Sequence, residues 1–225
     1  MTELKKISDV IPFQKAQDSI FSTLINRKVS RVFTYFMVTK IPWISPTHVN
    51  LISFGFSLAG IALFVHPNYY WRLLGILLLQ IGFTFDCSDG EVARIKNAAN
   101  AFGAWFDSVL DRFKEFLMLL ALMASWYIHE SSTVDVLIVG FLAIIGLQLV
   151  SYLREAKKSS WPSRRTAEFF IAKNIYIGTV DVTIYIVCAA VLFTIEYYVL
   201  CFFLAISIPL LYKQLRSAFR LAKKG

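Results

Sequence analysis

Two stretches of this chain, Val49 to Val65 and Val182 to Thr194, contain no charged residue. Extended by mildly polar neighbours, such runs suit the roughly 20 residues needed to cross the hydrocarbon core of a bilayer. A soluble domain keeps its apolar runs to strand length or to one stripe of a helix. Composition agrees: of 225 residues, 57% are hydrophobic and 17% charged, against roughly 45–50% and about 25% in soluble domains. The expected fold is an all-α integral membrane protein.

Six transmembrane helices are expected, at about 47–66, 70–95, 101–128, 133–153, 174–194 and 196–215. They form one transmembrane domain over 46–225, preceded by a cytosolic or interfacial segment over 1–45. That segment holds no apolar core followed by a small-residue cleavage site, so no signal peptide is expected. Instead "RKVSRVFTYFMVTKIPWIS" mixes basic residues with Val32, Phe33, Phe36 and Met37. This pattern suits an amphipathic helix in the membrane interface, apolar face down; a connecting helix on the bundle surface is the alternative. Lys and Arg number seven in the N-terminal segment, two in the second loop, six in the fourth and five at the C-terminus, with Arg72 alone in the intervening loops. Such alternation places both termini in the cytosol. Anionic headgroups and an anionic substrate account for the net charge of +8, and no nucleic-acid partner is needed.

Against this background, "FDCSDGEVARIKNAANAFGAWFDSVLDRF" from Phe85 to Phe113 gathers Asp86, Asp89, Asp107 and Asp111. If the second span enters near Tyr69 and the third leaves near Ile128, Asp86 and Asp111 each lie seventeen residues from the outer boundary. At about 1.5 Å per residue both sit roughly 25 Å into a core about 30 Å thick, just under the cytosolic surface. Asp107 and Asp111 share a helix face with Gly103, and Asp86, Asp89, Gly90, Ala93 and Arg94 follow a three-to-four spacing. Gly90, Ala93 and Gly103 are expected where the helices approach each other. Each mid-membrane carboxylate costs about 2.5–3.5 kcal/mol, and an unpaired set on the order of 10. Arg94 can offset one charge, while Lys96, Arg112 and Lys114 are expected out of phase. The deficit calls for cations, and hard carboxylate oxygens without histidine suit Mg²⁺ or Mn²⁺, with two ions expected.

Those same residues carry a resemblance. "DCSDGEVARIKNAANAFGAWFDSVLD" resembles the signature of the CDP-alcohol phosphotransferase family, D-x-x-D-G-x-x-A-R-x(7 or 8)-G-x-x-x-D-x-x-x-D, at all eight fixed positions. "ISPTHVN" is similar to the family's Pro-Asn-x-x-Thr entry at Pro46 and departs from it at Thr47 and Asn50. The resemblance implies transfer of a phosphate-linked group from a CDP-linked donor to an alcohol, with release of CMP. It implies Asp86, Asp89 and Asp107 as metal ligands, and Asp111 as general base beside a metal. Gly90, Ala93, Arg94 and Gly103 would serve the nucleotide and its diphosphate, and a homodimer is implied. "DGEVARIK" also resembles the branch that uses inositol phosphate; by position, Arg154, Arg165, Lys213 and Arg216 would grip the acceptor phosphate. The favoured pair is a CDP-lipid donor and a phosphorylated polyol. Glycerol phosphate, serine or free inositol as acceptor, and CDP-choline, CDP-ethanolamine or CDP-inositol as donor, are the alternatives.

Another class, an ion-coupled transporter, would hold its carboxylates near the midplane, with broken helices beside them. Positive charge in the fourth loop also serves topology alone. Asp181 could line a cavity or be a hydrogen-bonded packing residue. Cys87, Cys188 and Cys201 all fall inside spans and are read as packing. His48, His66 and His129, with Trp43, Trp71 and Trp126, fall at span ends as interfacial residues.

Overall fold

Caps written into the sequence start the helices that carry the site. In α2 (Pro46–Leu63) Pro46 occupies the first turn, and the Ser45 hydroxyl accepts from the His48 amide at 3.2 Å. Asn68 caps α3 (Tyr69–Ile95) by accepting from Tyr70 N at 2.9 Å, and Asn100 caps α4 (Ala101–His129) by accepting from Gly103 N at 2.8 Å. Between α3 and α4 the chain reverses at Asn97, whose φ of 51° lies in the left-handed region that asparagine tolerates. There the Ala98 amide closes the end of α3 on the Ala93 carbonyl at 2.8 Å. This short turn sends the chain back from α3 into α4 and puts the aspartates of both helices at one end, with α2 packed against each.

The computed structural model describes residues 4–15, 18–19, 22–161, 169–172, 175–177 and 179–222. The remaining helices are α1 (Arg27–Lys40), α5 (Val134–Ser160), α6 (Thr179–Phe193) and α7 (Glu196–Ala222). Among the described residues, four helices, α2, α3, α5 and α7, are long and apolar enough to cross a membrane. The 29 residues of α4 suffice in length, but its first half holds Asp107, Asp111, Arg112, Lys114 and Glu115. In α6 the apolar part among the described residues runs from Val182 to Phe193. The fold is all-helical, as expected, apart from a small sheet among the described residues. Three short strands, β1 (Asp18–Ser19), β2 (Phe169–Ala172) and β3 (Ile175–Ile177), pair in the order β1-β3-β2, parallel and then antiparallel.

One apolar core fills the part of the bundle away from the aspartates, through Phe64, Leu79, Met118, Leu122, Ala143, Val187 and Leu200. Large apolar side chains also face outward, among them Leu77, Phe141, Ile145 and Ile208, as lipid contact requires and water discourages. The backbones of α2 and α3 approach closely, so that a Cβ at Gly60 would stand 2.6 Å from the Gly75 carbonyl oxygen. Gly90 and Gly103, expected at a close approach, are not there: an added Cβ would meet only the Arg94 guanidinium at 3.4 Å and the Asn100 Oδ1 at 3.5 Å. These are ordinary contacts from their own helix and cap. A second, smaller core of Val10, Met37, Val38, Ile44, Val49, Val92 and Ile95 seats the N-terminal segment on α2 and α3.

Candidate active site

Because α3 descends and α4 returns, Asp86 on one meets Asp107 and Asp111 on the other. One carboxylate oxygen from each of the three lies within 4.8 Å of the others, close enough to hold a common cation. All three are half-buried, with the side chains of Asp86 and Asp111 18% and 23% exposed, so the cluster is sheltered yet reachable. Asp89, one turn on from Asp86, lies outside that trio but feels the charges of Asp86 and Asp107. The four expected aspartates thus occupy one end of the bundle, three in direct convergence and the fourth at its edge.

Their counter-charge is not the one expected. Lys114 was placed out of phase; its ammonium instead lies 2.5 Å from Asp86 Oδ1 and 2.7 Å from Asp111 Oδ1. The spacing from Asp111 to Lys114 is three, so the contact within α4 was legible. Its reach across to α3 depended on how the helices cross. Arg94, expected to balance a carboxylate, donates from Nε to the Phe13 carbonyl and so ties the N-terminal segment to the end of α3. Arg112 pairs with Glu115 at 2.6 Å, and Glu115 also accepts from Ser151 on α5 at 3.2 Å. Lys96 caps the turn before α2, donating to the carbonyls of Pro42 at 2.7 Å and Ile44 at 2.5 Å.

The chain also recruits α2. Asn50, one of the two departures from the family's entry motif, donates from Nδ2 to Asp107 Oδ1 at 3.0 Å. Ser53, one turn along, donates to the Gly82 carbonyl at 2.9 Å and lies 3.4 Å from Asp86 Oδ1. Asn50 therefore orients a site carboxylate although it departs from the family's entry motif at that place. Gly90 leaves the backbone of α3 uncovered toward the site end apart from the Arg94 guanidinium, as a bound nucleotide would need.

Glu91, inside the same motif, was overlooked. It is fully buried and accepts four side-chain hydrogen bonds. Gln14 Nε2 at 3.0 Å, Arg27 Nη1 at 3.0 Å and the Ser30 hydroxyl at 2.7 Å donate to Oε1, and Thr34 Oγ1 at 2.6 Å donates to Oε2. Arg27 also donates to the Cys87 carbonyl at 2.8 Å. Arg27, Ser30 and Thr34 form a polar stripe at helical spacing, and that pattern was available to find the contact. It also changes the reading of α1. The face turned to α3 is polar at these three positions and apolar at Met37 and Val38, with Phe33 stacked on Phe85 at 4.9 Å, while Phe36 and Val29 point outward.

Of the residues expected to hold an acceptor phosphate, Arg154 is half-buried on α5, 3.8 Å from Glu155, and Lys213 and Arg216 are exposed on the last turns of α7. Lys157 brings those helix ends together, donating to Gln214 at 2.7 Å and Ser217 at 3.2 Å. Arg165 lies outside the described residues, as does the side chain of Asp181. None of the three cysteines is in a disulfide, and Cys87 and Cys188 are buried in the bundle while Cys201 is half-buried.

The donor set fits a divalent cation: converging carboxylate oxygens, no histidine, and a lysine already drawn in by their charge. Comparison with known proteins agrees with this chemistry. A bifunctional IPC transferase and DIPP synthase of Aquifex aeolicus is 36% identical over 146 residues, 64% of this chain and 31% of that protein. An archaetidylinositol phosphate synthase of Pyrococcus horikoshii is 28% identical over 111 residues, 49% of this chain and 54% of the relative. The chain thus spans about a third to a half of these relatives' lengths. The fold is that of the phosphatidylinositol phosphate synthase PgsA1 of Mycobacterium tuberculosis, solved with CDP-DAG bound: TM-score 0.65 at 18% identity, over 87% of this chain and 94% of that one. PgsA1 has also been solved with manganese and citrate (TM-score 0.63, 17% identity, 87% of this chain and 89% of that one). Over residues 43–211, which include the whole aspartate cluster and its partners on α2, the sequence matches the CDP-alcohol phosphatidyltransferase family, and the chain is an integral membrane member of it.

Proposed function

We propose that this chain transfers a phosphate-linked group from a CDP-alcohol to the hydroxyl of a polar acceptor, with release of CMP. The observation that carries the reading is the convergence of Asp86, Asp107 and Asp111 from two antiparallel helices within the matched motif. Asp86, Asp89, Asp107 and Asp111 would hold Mg²⁺ or Mn²⁺, two ions when the donor is bound. In that place the cations supply positive charge to the oxygens of the donor's diphosphate.

The protein's own groups supply the rest. Asn50 fixes the plane of the Asp107 carboxylate, and Ser53 steadies Asp86. Asp111 takes the proton of the acceptor hydroxyl. The acceptor oxygen then bonds to the donor phosphorus remote from the cytidine, the bridging P–O bond breaks, and its electron pair leaves on CMP. Gly90, Ala93, Arg94 and Gly103 border the nucleotide. Arg154, Arg165, Lys213 and Arg216 grip a phosphate on the acceptor, and a planar guanidinium suits that task. The favoured acceptor is inositol phosphate or a similar phosphorylated polyol, with a CDP-lipid as donor. The archaetidylinositol phosphate synthase of Pyrococcus horikoshii and a phosphatidylinositol phosphate synthase of Corynebacterium glutamicum, both similar to this chain, support this choice.

Six spans with both termini and the site in the cytosol complete the reading: α4 crosses by sheltering its charges against α3 and α5, and α6 is the fifth span. The segment over 1–45 lies on the cytosolic side with α1 at the interface, and the enzyme is a homodimer. Purified protein with Mg²⁺ or Mn²⁺ is to be offered CDP-diacylglycerol, CDP-inositol, CDP-choline and CDP-ethanolamine, each with inositol phosphate, glycerol phosphate, serine or inositol. Metal-dependent CMP release with the lipid donor and inositol phosphate is expected. Absence of CMP from every pair, with ion-coupled uptake in proteoliposomes, would make it a carrier instead.

A further inference from the structure

Lys114 stands where a cation would. Its ammonium lies 2.5 Å from Asp86 Oδ1 and 2.7 Å from Asp111 Oδ1, and its side chain is only 10% exposed. Any ion using those two oxygens together must take the place of Nζ or push against its charge. Like charges so close repel strongly at this depth, and a divalent ion doubles the effect of a monovalent one. The ammonium has room to yield only toward more negative charge, because Asp86 and Asp111 are the acceptors that hold it at this depth.

Counting charge shows what could supply that. Four aspartates carry −4, and two divalent ions would cancel them, so Lys114 leaves an excess of +1. A donor diphosphate brings about −2 and reverses the balance. We propose that Lys114 is a built-in counter-ion that competes with the metal for Asp86 and Asp111, so that full metal occupancy waits for the nucleotide diphosphate. This rests on the reading above, in which the aspartates hold divalent ions. It would keep the site from filling with metal, and from hydrolysing chance phosphates, before a donor is present.

Free Mn²⁺ in detergent-purified protein is to be followed by electron paramagnetic resonance, with and without CDP. Wild type should bind Mn²⁺ weakly at the competed position and gain affinity when CDP is added. Lys114→Met should tighten that position by about tenfold or more without CDP and lose most of the CDP effect. Lys114→Arg, which keeps the charge, should behave as wild type. Lys114→Gln provides a second neutral variant, and gel filtration of each reports folding. Equal Mn²⁺ affinity and equal CDP response in wild type and both neutral variants would overturn the role of Lys114 alone. No Mn²⁺ binding by any form, with or without CDP, would overturn the metal reading along with it.

Discussion

Two sets of buried acid lie within two turns of each other on α3, and the chain treats them in opposite ways. Glu91 is sealed from solvent and surrounded by four donors, one of them the Arg27 guanidinium. Among the described residues, Asp86 shares the ammonium of Lys114 with Asp111 and has the Ser53 hydroxyl at 3.4 Å, and Asp107 accepts from the Asn50 amide. A buried charge with its lone pairs satisfied fixes structure; carboxylates crowded with too few donors keep oxygens free for something else. The first arrangement pins the N-terminal segment to the bundle, and the second is left to chemistry.

The sharpest way to break the comparison is to neutralise one member of each set and compare activity with stability. Asp111→Asn should lower CMP release by about 10²–10⁴-fold while donor binding is largely kept, since the proton acceptor is lost and three aspartates remain to hold metal. Asp86→Asn and Asp107→Asn should abolish turnover and weaken Mn²⁺ binding as well, read by calorimetry. Asp107→Asn should nevertheless raise the melting temperature in EDTA, because it relieves repulsion without taking a partner from Lys114. A lower melting temperature in EDTA would show that Asp107 is structural, like Glu91.

Stability is where the other set should fail. Arg27→Met strips a guanidinium from a carboxylate that has no access to water, at a cost of about 3–5 kcal/mol in denaturant unfolding. Adding Glu91→Gln should recover part of that, because the unpaired charge is then gone. If Arg27→Met were silent in unfolding, Glu91 would have to be neutral in the folded protein, and its distinction from the aspartates would dissolve.

These contrasts also show what a reader of the sequence could reach. Uncharged runs and a spaced acidic motif reveal membrane helices and aspartates at a common depth, because both follow from a fixed rise per residue. Partner identity is harder. Lys114 could be seen to share a face with Asp111, but its span to Asp86 depends on the crossing of α3 and α4. Glu91 looked like a filler position within the motif because its partners lie 57 to 77 residues away in the N-terminal segment. Asn50 departs from the family pattern, and only the geometry shows that its amide supplies a hydrogen bond to a site carboxylate. The glycines were misassigned for a related reason: small residues mark a close approach without naming what approaches. At Gly60 it is a backbone, and at Gly90 it is open space bordered by Arg94.

Asn50 gives a test between the two extremes, since it supports a site carboxylate without being one. Asn50→Leu should cost about 10–100-fold in Mn²⁺ affinity or CMP release, the usual size for a group that orients a ligand. Global stability should change little, for Asn50 Oδ1 is buried without a partner among the described residues and its removal offsets the lost bond. A variant with wild-type metal affinity would mean that Asp107 is held by its own helix alone.

The smallest effects lie within the Glu91 cluster, where the two carboxylate oxygens are unequally served. Oε1 accepts from Gln14, Arg27 and Ser30, whereas Thr34 donates to Oε2. Removing one donor of three leaves the charge largely solvated by protein, so Ser30→Ala should cost about 1 kcal/mol. Thr34→Val, nearly the same in shape, leaves Oε2 buried and bare and should cost about 1.5–3 kcal/mol, since a hydrogen bond to a charged group is the stronger kind. Chemical unfolding of the two variants side by side measures the difference directly. Equal losses would mean that the carboxylate turns to share its donors, and then Glu91 would be less a fixed anchor than a group with the same freedom as the aspartates beside it.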